Sequence, residues 1–86
     1  MNFNSLLLSL EKIITELNKN GKTQSASFFI SRYEEIKMKG SHVSREVIKE
    51  LSTCRAMSQY ANFSIKEEKL LDNVVDDAIE LKSIIP

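Results

Sequence analysis

A chain of 86 residues with no net charge, 42% of it hydrophobic and 28% charged, has the composition of one globular domain. A domain of this size buries only about 60–65% of the surface its unfolded chain exposes, which leaves little room for both a stable core and a deep catalytic cavity. The balance of 12 Lys/Arg against 12 Asp/Glu excludes broad binding to phosphate backbones, which needs a surplus of cations.

The first predicted helix runs from Ser5 to Asn20. Leu6, Leu7, Leu10, Ile13, Ile14 and Leu17 recur at three and four, the period of an amphipathic helix, and Asn4 is its expected N-cap. Gly21 ends it. The second runs from Gln24 to Lys39 with Thr23 as the expected cap and with Ala26, Phe29, Ile30, Tyr33 and Ile36 on one face. Gly40 ends that helix. The third is expected from Ser44, its cap, to Met57, with Val47, Ile48, Leu51, Cys54 and Met57 as the apolar stripe. The segment "SQYANFS", residues 58–64, has no helical stripe and reads as a loop or short turn. Ser64 and Glu67 then have the spacing of a capping box, which opens a fourth helix reaching Ser83. Its stripe is Leu70, Leu71, Val74, Ala78 and Leu81, with Val75 at the edge. Two glycines and a single proline, Pro86, break the chain so rarely that an all-α fold follows: one domain over residues 1–86, an antiparallel bundle of about four amphipathic helices.

No catalytic motif stands out, and the chain does not read as an enzyme. The one histidine, His42, lies in a turn and has no partner at a recognisable spacing. The one cysteine, Cys54, sits on an apolar stripe and reads as a core residue. One His and one Cys do not make a zinc site, and "DNVVDDAIE" lacks the glycine and the spacing of a calcium loop, so neither metal nor cofactor is expected. The N-terminal "MNFNSLLLSLEK" does not read as a signal peptide and no stretch is long enough for a membrane span. With a lone cysteine, these features point to a cytoplasmic protein.

Charge patterning carries the most information. Residues 1–43 hold six Lys/Arg and four Asp/Glu, net +2, whereas residues 44–86 hold six and eight, net −2. Most of the excess falls in "EEKLLDNVVDDAIE", where Glu68, Asp72, Asp76 and Glu80 recur at every fourth position. Like charges at that spacing cost a helix roughly 0.2–0.5 kcal/mol per pair. With Glu68 at zero and about 100° per residue, Asp72, Asp76 and Glu80 fall near 40°, 80° and 120°, Ile79 near 20° and Asp77 near 180°, opposite an apolar stripe near 260°. The simple alternative is a solvated face. A repulsive face with only Lys69 and Lys82 for relief points instead to a basic partner, which such a surface steers.

The residues "LLLSLEKIITELNKNGKTQSASFFISRYEEI", "LSTCRAMSQYANFSI" and "LLDNVVDDAIELKSI" together resemble the small all-helical immunity proteins of contact-dependent growth inhibition and related polymorphic toxin systems. Those proteins are similar in their leucine-rich helix ending in Asn-Gly, their Ala-Met-Ser turn and their acidic last helix. The chain departs from them at Arg55 and Tyr60, where similar proteins carry glycine or a smaller residue. The resemblance implies an inhibitor that binds one cognate toxin domain, by frequency a nuclease, over its active site or substrate groove. A basic, metal-independent RNase is the first expectation. Its contact residues would be Glu68, Asp72, Asp76, Asp77, Ile79, Glu80 and Tyr60, with Phe63 either a second aromatic anchor or a core residue. No direct contact with nucleic acid or membrane is expected. The alternatives are a DNA-binding antitoxin or small regulator, in which "SREVIKEL" would be the second helix of a helix-turn-helix carrying Arg45 and Lys49, and an adaptor without inhibitory activity.

Overall fold

The helices stop where a left-handed residue or a cluster of side-chain hydroxyls takes over from the backbone ladder. The computed structural model describes residues 3–84, except for the side chains of Ser41 and Tyr60. Helix α1 spans Asn4–Lys19, and Gly21 follows it at φ 76°, the left-handed position that favours glycine. The N–H of Lys22 donates to the Leu17 carbonyl at 2.8 Å and that of Gly21 to Asn18 at 3.1 Å, which is a Schellman ending. Helix α2 spans Thr23–Lys39 and ends at Gly40, φ 54°. A 3-10 turn, Gly40–His42, leads to α3, Arg45–Ser52, whose cap Ser44 accepts from the N–H of Glu46 as expected.

The third helix is shorter than its stripe suggests. Ser52 and Thr53 donate their hydroxyls to the Lys49 carbonyl, at 2.8 and 3.0 Å, and Cys54 donates its thiol to the Leu51 carbonyl at 3.3 Å. Side chains that serve these carbonyls let the helix end, so Cys54 and Met57 lie beyond it. A 3-10 turn, Cys54–Ala56, replaces the expected last turn of that helix, and a single turn, α4, Met57–Tyr60, runs from there into the stretch expected as a loop. Asn62, at φ 58°, then turns the chain, and α5 covers Ile65–Ile84. Asn4 and Thr23 are first helical residues rather than caps; the positions before them are Phe3 and Lys22, neither of which bonds through its side chain to the helix N-terminus.

The described residues are helical without a strand, in five helices of which four run longer than a turn or so. Helix α1 packs on α2 and α5, and α5 packs also on α3. Contacts between Asn20 and Glu67, Glu16 and Lys66, and Ser9 and Asp77 run down α1 as they run up α5, so these two are antiparallel. Leu6, Leu10, Ile13 and Leu17 of α1 meet Ala26, Phe29 and Ile36 of α2, Val47, Ile48 and Leu51 of α3, and Leu71, Val74, Val75, Ala78 and Leu81 of α5 in one core. Val75 is fully inside and Leu70 only half-buried, the reverse of their expected places. Phe63 also belongs to the core, at 8% exposure, which removes it as an aromatic anchor for a partner.

Candidate functional site

The start of α5 fixes how its outer face is presented. Ser64 accepts from the N–H of Glu67 at 3.2 Å and Glu67 accepts from the N–H of Ser64 at 2.7 Å, so the expected capping box forms. Glu67 does more than cap. Its side chain is fully buried, and its carboxylate also takes the Lys22 ammonium at 2.6 Å and the Asn20 amide at 2.7 Å. Lys22 donates further to the Asn62 carbonyl at 2.7 Å and stands 5.6 Å above the Phe63 ring. The Schellman ending of α1 is what delivers Lys22 to this place. Burial raises the Glu67 carboxyl, but the hydrogen bonds from Asn20, Lys22 and the Ser64 N–H, with the Lys22 charge, outweigh it and hold the group at about 2. Sequence reading assigned Glu67 to the cap alone. Its place at the centre of the apolar stripe of α5 was the available signal for a buried partner.

The acidic row lies where the wheel put it. Glu68, Asp72, Asp76 and Glu80 are exposed, Ile79 is 49% exposed beside them, and Asp77 is half-buried with its carboxylate taking the Ser9 hydroxyl at 2.6 Å. The Tyr60 side chain lies outside the described residues, so only its backbone place at the end of α4 is known.

One expectation about this row is corrected. The chain does supply a counter-charge, and it is neither Lys69 nor Lys82. Arg55, on the 3-10 turn Cys54–Ala56, places Nε 3.3 Å from Asp72 and Nη2 3.3 Å from Asp76. The guanidinium spans two carboxylates one helical turn apart. All three side chains are more than half exposed, so each contact is worth about 0–1 kcal/mol, the same order as the like-charge cost of the Asp72–Asp76 pair. Arg55 and Asp76 are 21 residues apart in sequence, and the 3-10 turn that carries the arginine packs against α5. Glu68 and Glu80 make no ion pair among the described residues.

Elsewhere cations and carboxylates are paired or interleaved. Arg32 stacks 3.9 Å from the Phe28 ring and reaches Glu50 at 3.2 Å, and Arg45 and Lys49 of α3 stand beside Glu46 and Glu50. Burial pushes the Cys54 thiol up to about 11, as befits a half-buried packing residue. His42 is exposed. Among the described residues, no cluster of His, Cys, Asp and Glu could hold a metal ion, and no helix is long and apolar enough to cross a membrane. No protein-family model, no curated protein and no solved structure matches the chain.

Proposed function

We propose that the chain is a cytoplasmic immunity protein, without catalytic activity, that neutralises a basic toxin domain by laying the outer face of α5 over its active site or substrate groove. The single observation that carries this reading is the exposure of Glu68, Asp72, Asp76 and Glu80 in one row with Ile79 at its edge. Carboxylates one turn apart along a rigid helix offer a nuclease groove a row of negative charge in place of phosphates, and an apolar side chain among them supplies a dry contact. A basic RNase is the partner this face fits best.

Arg55 changes how the face works. It holds Asp72 and Asp76 in a monodentate grip that leaves one oxygen of each for a partner, so an incoming cation adds to Arg55 or displaces it. Glu68 and Glu80, at the two ends of the row, have no such competitor among the described residues. The DNA-binding alternative has no observation in its favour, since the exposed cations of α3 are interleaved with carboxylates.

The test is neutralisation. The gene immediately upstream is expected to end in a small basic domain; that domain is mixed with the chain, and RNA cleavage is followed. A stoichiometric complex and loss of cleavage are expected. Full cleavage in the presence of excess chain removes the proposal.

A further inference from the structure

The turn between α1 and α2 holds a chemically labile pair, Asn20–Gly21. An asparagine side-chain amide is open to attack by the backbone nitrogen of the residue after it. Here the Gly21 nitrogen would give its proton to hydroxide and bond to Asn20 Cγ. The Cγ–Nδ2 bond breaks, the nitrogen takes a proton from water and leaves as ammonia, and a five-membered succinimide remains. Water then opens that ring at either carbonyl, leaving an aspartate or an isoaspartate. The chain has gained one water and lost one ammonia, with nothing oxidised or reduced. Glycine favours the attack because no side chain crowds its nitrogen. Asn20 alone among the asparagines has a glycine after it; Asn18 is followed by Lys19 and Asn73 by Val74.

The fold leaves this pair in water but out of reacting geometry. Asn20 and Gly21 are both exposed, and nothing lies within 4 Å of the place where a Gly21 Cβ would be, so burial does not shield them. Three restraints do. Asn20 closes α1 at ψ 7°, whereas the ring can form only when the bond to the Gly21 nitrogen eclipses Cα–Cβ, which requires the helix end to unwind. The Gly21 N–H is held by the Asn18 carbonyl at 3.1 Å. The Asn20 amide donates to Glu67 at 2.7 Å and to Glu16 at 3.2 Å, which ties the side chain to α5.

The same contacts make the product a poor fit. A carboxylate at position 20 has no proton to donate and would meet the Glu67 and Glu16 carboxylates, whose cations, Lys22 and Lys66, are already engaged. An isoaspartate also adds one carbon to the main chain inside the turn whose Lys22 N–H bonds the Leu17 carbonyl. Either product removes a partner of the buried Glu67 and so loosens the cap of α5.

We infer that Asn20–Gly21 is a site of spontaneous deamidation, held closed by the native turn, whose conversion irreversibly releases the Glu67 corner. The site is a one-way record of each opening of the α1–α2 turn, and it stands or falls independently of any partner for α5.

The full natural chain is held in mildly alkaline buffer, with and without denaturing guanidinium chloride. Peptides are followed by mass spectrometry for conversion of amide to acid and by chromatography for the isoaspartate isomer. In denaturant, conversion at Asn20 should outpace that at Asn18 and Asn73 by about tenfold or more, and Gly21→Ala should slow it to a similar degree. In native buffer, Asn20 should convert about tenfold or more slowly than in denaturant, because only the opened turn reacts. Asn20→Asp reproduces one product. It should raise the unfolding equilibrium constant in urea about tenfold, as loss of a hydrogen bond to a charged group does. Equal rates with and without denaturant would overturn the protective part of the inference. Conversion at Asn20 no faster than at Asn18 would overturn the site itself. An Asn20→Asp chain that unfolds at the natural urea midpoint would overturn the release of the corner.

Discussion

Glu67 is the residue on which the arrangement of α5 turns. A carboxylate with no exposure survives inside a core only when its oxygens are satisfied, and Lys22, Asn20 and the Ser64 N–H satisfy them. Removing it takes the carboxylate from the partly exposed Lys22 ammonium, which keeps the Asn62 carbonyl, and leaves a cavity in the core. Glu67→Ala should therefore cost about 3 kcal/mol in urea unfolding, against less than about 0.5 kcal/mol for Glu68→Ala on the exposed face. The pH dependence follows from the depressed carboxyl. Held at about 2 when folded and near its ordinary value when unfolded, Glu67 contributes stability that is complete above pH ~5 and is lost as the pH falls toward about 2. Glu67→Gln should flatten that part of the acid-unfolding profile. An unchanged profile would show that Glu67 is not the group that titrates.

At the scale of the elements, the connections decide what the helices can reach. Gly21 has open space where a Cβ would go, so Gly21→Ala tests only the left-handed backbone, at a cost of about 1 kcal/mol in thermal or urea unfolding. A cost near zero would mean that the Schellman turn does not position Lys22 as described. The long periodic helices were legible in the sequence because α1, α2 and α5 each present a stripe at three and four. The end of α3 was not, because Val47, Ile48, Leu51, Cys54 and Met57 keep helical spacing on both sides of Ser52. What stops the helix is hydrogen bonding by Ser52, Thr53 and Cys54 to carbonyls behind them, which hydrophobic periodicity does not record. The role of Arg55 was hidden too. Helical periodicity does not say which residues of another segment meet the row, so only Lys69 and Lys82 on α5 itself were visible as relief. The acidic face itself was legible, since wheel geometry needs only a regular helix. The Lys22–Glu67 pair joins positions 45 residues apart, and a single sequence carries no signal for such a pairing beyond a carboxylate in an apolar stripe.

For the whole molecule, neutral net charge conceals two unlike surfaces. The face made by α2 and α3 carries paired and interleaved charges, Arg32 with Glu50 and Lys39 with Glu35 among them. The outer face of α5 concentrates carboxylates around one arginine. An encounter between this protein and a basic domain would be guided by the second face, with an association rate that falls as salt screens it. If the row on α5 does this guiding for the proposed basic toxin domain, the association rate of the two reports it. Stopped-flow association is measured from low to high salt for the natural chain and for Asp72→Lys/Asp76→Lys, with circular dichroism to confirm the helical fold of the variant. A rate about tenfold or more lower for the variant at low salt, converging with the natural chain as salt rises, is the predicted result. Equal rates at every salt concentration would contradict it and leave the row a solvated face.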